Sequence, residues 1–145
     1  NKRFKMTDAH IERMVVLIVD DDNEIRMIIK SYLIHFGFKT FIDAKDGAAA
    51  YRFILDTTQR IDLIISDWEM PRADGLSLLR AVRKHNTRSA TPFIMVTSQQ
   101  SQERLKISDA KKSAVNCYIV KPFHANILKE KVWQALKLPE ELKAG

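Results

Sequence analysis

Val15-Val16-Leu17-Ile18-Val19-Asp20-Asp21-Asp22 is an apolar run that ends on three carboxylates, and three later stretches repeat the form. Ile61-Asp62-Leu63-Ile64-Ile65-Ser66 leads into Asp67, Phe93-Ile94-Met95-Val96 into Thr97-Ser98, and Cys117-Tyr118-Ile119-Val120 into Lys121-Pro122. If these runs are parallel strands, their carboxyl ends lie side by side, at the edge where open parallel sheets bind ligands. Several carboxylates, a hydroxyl and an ammonium then share one pocket. Crowded carboxylates repel and so favour a hard divalent cation, whereas the lysine and hydroxyl suit a phosphoryl group. A lone aspartate after an apolar run is more often a cap or a surface group. The set, each member at the same end of its own strand, is what points to chemistry.

Segments of helical period separate the runs. Ile25, Ile28, Ile29, Tyr32, Leu33 and Phe36 recur at spacings of three and four, and Gly37 is a natural stop. Residues 38–44 read as a second strand, weakened by Lys39 and Asp43, and 46–58 as a helix built on Ala48, Ala50, Phe53, Ile54 and Leu55. Pro71 and Gly75 punctuate a loop before a third helix on Leu76, Leu79 and Val82. Pro92 opens the next strand, where a missing N–H is tolerable. Residues 102–112 form a weakly apolar helix with Leu105, Ile107 and Ala110, and Ile127, Leu128, Val132, Ala135 and Leu136 mark the last. A βα unit repeated five times implies a parallel sheet covered on both faces by right-handed crossovers. Strands apolar throughout, rather than alternating, agree with burial on two sides. The domain is expected over 14–138, with an extension at 1–13 and a polar tail at 139–145, both mostly outside the core.

The chain of 145 residues fits one domain, and 46% hydrophobic with 29% charged residues is ordinary for a globular protein. The single cysteine, Cys117, sits in an apolar run, which excludes internal disulfides and reads as a buried small hydrophobe rather than a catalytic thiol. No apolar stretch approaches the roughly twenty residues of a membrane span. The basic start Asn1-Lys2-Arg3-Phe4-Lys5 lacks the apolar core of a signal peptide. Without Met at position 1, an upstream segment or tag is expected to have been removed. A net charge of +6 invites a nucleic-acid reading, but the cations are spread over segments expected to be solvated helix faces. An acidic protein partner uses that charge at least as well. His10, His35, His85 and His124 share no ligand spacing, so a zinc site is not expected.

Taken together, the motifs resemble the receiver domain of two-component response regulators, a flavodoxin-like fold also seen in the chemotaxis regulator. The resemblance covers about residues 14–138. It rests on Val19-Asp20-Asp21 with Arg26, on Ser66-Asp67-Trp68-Glu69-Met70-Pro71 with Asp74-Gly75, on Val96-Thr97-Ser98, and on Tyr118-Ile119-Val120-Lys121-Pro122-Phe123. The stretch from Asp67 to Pro71 looks especially like the chemotaxis-type receivers. The fold implied is a doubly wound (βα)5 with strand order 2-1-3-4-5. The resemblance implies that Asp67 is the phosphoacceptor, taking a phosphoryl group from a phosphohistidine. It implies that Asp20, Asp21, Asp67 and the backbone carbonyl of Glu69 hold Mg²⁺, with Mn²⁺ as a substitute. Arg26, five residues after Asp21, sets that register and leaves Asp22 as an N-cap. Asp74 with Gly75 likewise reads as turn and cap. Thr97, Ser98 and Lys121 would bind phosphoryl oxygens, and the Lys121–Pro122 peptide would be cis. Thr97 and Tyr118 would form the switch, while Glu69 and Gln99 would modulate phosphoryl lifetime.

The function implied is a cytoplasmic phospho-switch that catalyses only its own phosphotransfer and autodephosphorylation. Its partners would be a sensor histidine kinase or phosphotransfer protein and a downstream protein target. No membrane contact, and no direct nucleic-acid contact within this chain, is expected. The surface that changes would be the fourth strand, fourth helix, fifth strand and fifth helix. The chain is read either as a stand-alone receiver or as one cut from a longer regulator, the short polar tail favouring the first. An aspartyl-phosphate phosphatase shares the sheet and the nucleophile but expects a second Asp where Glu69 stands. A degenerate, constitutively binding receiver conflicts with the full set of acidic, Thr and Lys positions. A nucleotide-binding module lacks its glycine-rich loop.

Overall fold

The computed structural model describes residues 8–70, 73–98 and 115–142. Its five strands are β1 (Val15–Val19), β2 (Thr40–Ala44), β3 (Leu63–Asp67), β4 (Phe93–Thr97) and β5 (Cys117–Val120), all parallel, in the order β2-β1-β3-β4-β5. The helices are α1 (Asp8–Arg13), α2 (Asn23–His35), α3 (Gly47–Leu55), α4 (Gly75–Lys84) and α5 (Ala125–Leu136), with a 3₁₀ turn at Glu140–Leu142. The parallel sheet is the one expected from the apolar runs, and its order is the flavodoxin-like one that the resemblance to receiver domains implies. The expected helix at 102–112 and the positions of Pro71 and Gln99 lie outside the described residues.

Alternation along the strands divides the core. Val16 and Ile18 of β1 face a cluster with Ile29 and Leu33 of α2 and Leu128, Val132 and Trp133 of α5. Leu17 and Val19 face the other side, with Ala50 and Ile54 of α3 and Leu78, Leu79 and Val82 of α4. Every residue of β1, β3 and β4 is buried, as two covered faces require. Only β2, at the sheet edge, is mostly open, which explains how it accommodates Asp43. Caps set the helix starts: Asp22 accepts from the Glu24 amide, Asp46 from Ala49 and Asp74 from Ser77. Gly37 takes φ +110 just past α2, a conformation side chains resist.

Two terminal segments depart from expectation. Residues 8–13 form a helix whose Ile11 is buried in the core, and Leu142 in the tail is buried in the same cluster. Both plug apolar surface on the α2–α5 side, around Phe36, Phe38 and Trp133. One isolated apolar side chain in a polar segment has no periodicity to betray it.

Candidate functional site

Strand register assembles the rim. Val19 pairs with Ser66, Asp67 with Val96, and Thr97 with Val120, so each chain leaves the sheet at the same level. The Asp20 amide bonds the Ala44 carbonyl at 3.1 Å, and the Lys121 amide bonds the Thr97 carbonyl at 2.8 Å, extending the ladder by a step on either side. The Lys121–Pro122 peptide is cis.

One carboxylate oxygen each of Asp20, Asp21 and Asp67 lies within 4.8 Å of the others. Lys121 Nζ sits 3.2 Å from Asp67 Oδ1 and 3.4 Å from Asp20 Oδ2, bridging the two buried carboxylates. Asp20 is also oriented by its surroundings: its Oδ1 accepts the Asp22 amide at 2.9 Å, and its carbonyl accepts the Arg26 guanidinium. Arg26 in turn pairs with Asp43 at 3.8 Å, and Asp43 with Lys30 at 3.0 Å. That outer lattice tethers the β1–α2 corner to the edge strand. The spacing of Arg26 behind the strand-end Asp20 marks it in the sequence, whereas nothing local in the sequence points to Asp43 as its partner.

Electrostatics at this rim are unbalanced. Asp67 is only 7% exposed. Burial, and then the charge of Asp20, push its pKa up to about 6 despite the attraction of Lys121. Asp20 is raised as well, chiefly by burial. Burial alone would lower the Lys121 pKa, but the attraction of Asp67 and Asp20 outweighs it and raises the ammonium. Three carboxylates therefore face one ammonium. An all-oxygen donor set with surplus negative charge fits a hard divalent cation and does not fit a soft one.

The remaining candidates distribute around this centre. Thr97 is buried at the end of β4, its hydroxyl donating to the Ser98 carbonyl at 3.3 Å. Tyr118 lies across from Met95 on β5, half-buried beside the α3–α4 cluster, and burial raises its phenol pKa. Trp68 and Glu69 follow directly after Asp67, Trp68 buried and Glu69 exposed. Cys117 is buried and reduced, with a thiol pKa pushed up by burial, in line with a packing role.

A family model for the response regulator receiver domain matches residues 16–133. The chain belongs to that family. The receiver is 40% identical over 119 residues to the chemotaxis protein CheY of Pseudomonas aeruginosa, covering 82% of this chain and 93% of that protein. Among solved structures, the chemotaxis response regulator CheY4 of Vibrio cholerae superposes with a TM-score of 0.74 at 31% identity, over 85% of this chain and 98% of that one. The receiver domain of a Pseudomonas aeruginosa sensor histidine kinase, with a magnesium ion coordinated in its active-site cleft, gives 0.74 at 25% identity, over 86% and 98%. This is a chemotaxis-like receiver of two-component signalling, a signalling domain rather than a classical enzyme.

Proposed function

We propose that this receiver is a Mg²⁺-dependent phospho-switch whose acceptor is Asp67. The observation that carries the reading is the placing of Lys121 Nζ 3.2 Å from the Asp67 carboxylate, with Asp20 and Asp21 close enough to share a cation. Asp20, Asp21, Asp67 and the Glu69 carbonyl would hold Mg²⁺, or Mn²⁺ in its place. The cation supplies charge neutralisation for the incoming phosphoryl oxygens.

An Asp67 oxygen attacks the phosphorus of a phosphohistidine on a sensor kinase or phosphotransfer protein. The O–P bond forms, the P–N bond breaks, and the imidazole leaves with its electron pair. Lys121 pairs with one phosphoryl oxygen, and Thr97 and Ser98 hydrogen-bond to others. Hydrolysis returns the carboxylate when water attacks the phosphorus, and Glu69 and Gln99 would modulate its rate. Thr97, drawn to the phosphoryl group, leaves room for the Tyr118 ring to turn inward. The surface of β4, β5, α5 and the segment expected as a helix at 102–112 then changes its affinity for a downstream protein. We place this activity in the cytoplasm, where sensor kinases present their phosphohistidines.

Mg²⁺ titration followed by Trp68 fluorescence, then a small phosphodonor followed by intact mass, tests the reading. One phosphoryl group per chain should appear with Mg²⁺, and none in chelator or in Asp67→Asn. Labelling that survives the substitution refutes the acceptor assignment.

A further inference from the structure

The chain leaving Asp67 turns back through Trp68 and Glu69 to enter α4 at Gly75, and two glycines hold that return. The Gly75 amide bonds the Trp68 carbonyl at 2.8 Å. A Cβ on Gly75 would collide with the Asp67 carbonyl and come within 2.9 Å of Trp68 Cα and 2.8 Å of Met95 Sδ. Gly75 therefore seats α4 directly on the acceptor's own backbone.

Gly47 makes the second contact, from a different element. It opens α3 after the Asp46 cap. A Cβ there would collide with the Ala73 carbonyl oxygen and lie 2.9 Å from Ala73 C and 2.8 Å from Ala73 Cβ. The obstacle is backbone, which cannot rotate away as a flexible side-chain tip would. Ala73 immediately precedes Asp74, the α4 cap, and Gly75. Displacing Ala73 thus acts on the segment that fixes the Asp67 and Trp68 carbonyls.

We propose that Gly47 is a positioning residue for the metal site: the bare Cα at the start of α3 is the stop that sets where Ala73 lies, and through Gly75 and its bond to the Trp68 carbonyl, where the adjoining Glu69 carbonyl points. The proposal rests on the Mg²⁺ site of the preceding section. An outer-shell role of this kind changes metal affinity by roughly tenfold or more when lost.

The test compares Gly47→Ala with Gly37→Ala, each titrated with Mg²⁺ by Trp68 fluorescence and melted separately. Gly37 has φ +110, so an alanine there is strained by its own backbone, while its Cβ makes only an ordinary contact with Ile11 Cγ2 at 3.6 Å and does not touch the loop. Gly47→Ala should raise the Mg²⁺ Kd by roughly tenfold. Gly37→Ala should lose thermal stability yet keep the wild-type Kd. Equal Mg²⁺ affinity in Gly47→Ala and wild type would overturn the proposal, as would a Kd that rises equally in both variants. If Gly47→Ala does not fold, Asp46→Ala decides: without its cap the α3 start loosens its hold on Ala73, and an unchanged Mg²⁺ Kd would sink the idea. A wild-type protein that binds no Mg²⁺ would instead refute the reading beneath it.

Discussion

Asp67 is held in surroundings that disfavour its charge, and that cost is measurable. Its folded pKa of about 6 lies above the usual 3.8, so the folded state holds its proton more tightly than the unfolded chain does. Well below pH 3.8 both states are protonated and the carboxyl costs nothing. As pH rises through the window from 3.8 to about 6, folding stability falls, and the full penalty is present at pH 7. Asp67→Asn should therefore stabilise the metal-free protein at pH 7 by on the order of 1 kcal/mol, allowing for residual solvation of the carboxylate. Urea unfolding without divalent ions should show the gain shrinking toward pH 4, and saturating Mg²⁺ should narrow it by stabilising only the wild type. A gain independent of pH would mean that charge is not its source. Lys121→Met should slow phosphoryl labelling by about 10²-fold, since it removes the ammonium that sits 3.2 Å from the acceptor; a rate within threefold of wild type would remove Lys121 from the transfer step.

The elements were legible in proportion to how completely they are enclosed. β1, β3 and β4 announce themselves as unbroken apolar runs because helices cover both their faces, and their terminal polar residues followed directly. β2 was harder, and begins at Thr40 although Phe38 is fully buried, because an edge strand tolerates Lys39 and Asp43. α1 spans Asp8–Arg13, too short to show a period, and only Ile11 reveals its function as a plug. Ile11→Ala should cost about 2–4 kcal/mol, whereas Ile34→Ala on the open face of α2 should change stability by under about 0.5 kcal/mol. Equal urea midpoints for the two variants would show that α1 does not contribute to the core. Arg88 falls among the cations spread along the chain, where a solvated face is expected, yet it is buried and donates to the carbonyls of Ile54, Phe53, Asp56 and Gln59, closing the end of α3. Nothing local in the sequence records which carbonyls a distant guanidinium will meet. Arg88→Met should destabilise by on the order of 2–4 kcal/mol, because it strands several acceptors at once; a loss under about 0.5 kcal/mol would mean that water replaces it freely.

For the whole molecule, topology is what turns separated residues into a site. Asp20 and Lys121 stand 101 positions apart in sequence and meet at 3.4 Å because parallel strands end at a common level. The site was thus readable from the strand ends, while the supports behind it, Arg26 to Asp43 and Gly47 to Ala73, join elements that only the folded chain brings together. Phosphorylation in Mg²⁺ followed by borohydride reduction and peptide mapping tests the central claim most directly, since an acyl phosphate on aspartate is reduced to homoserine. Homoserine should appear in place of Asp67 and nowhere else; homoserine at Asp20 or Asp21, or stable phosphate on a serine or threonine, would contradict it.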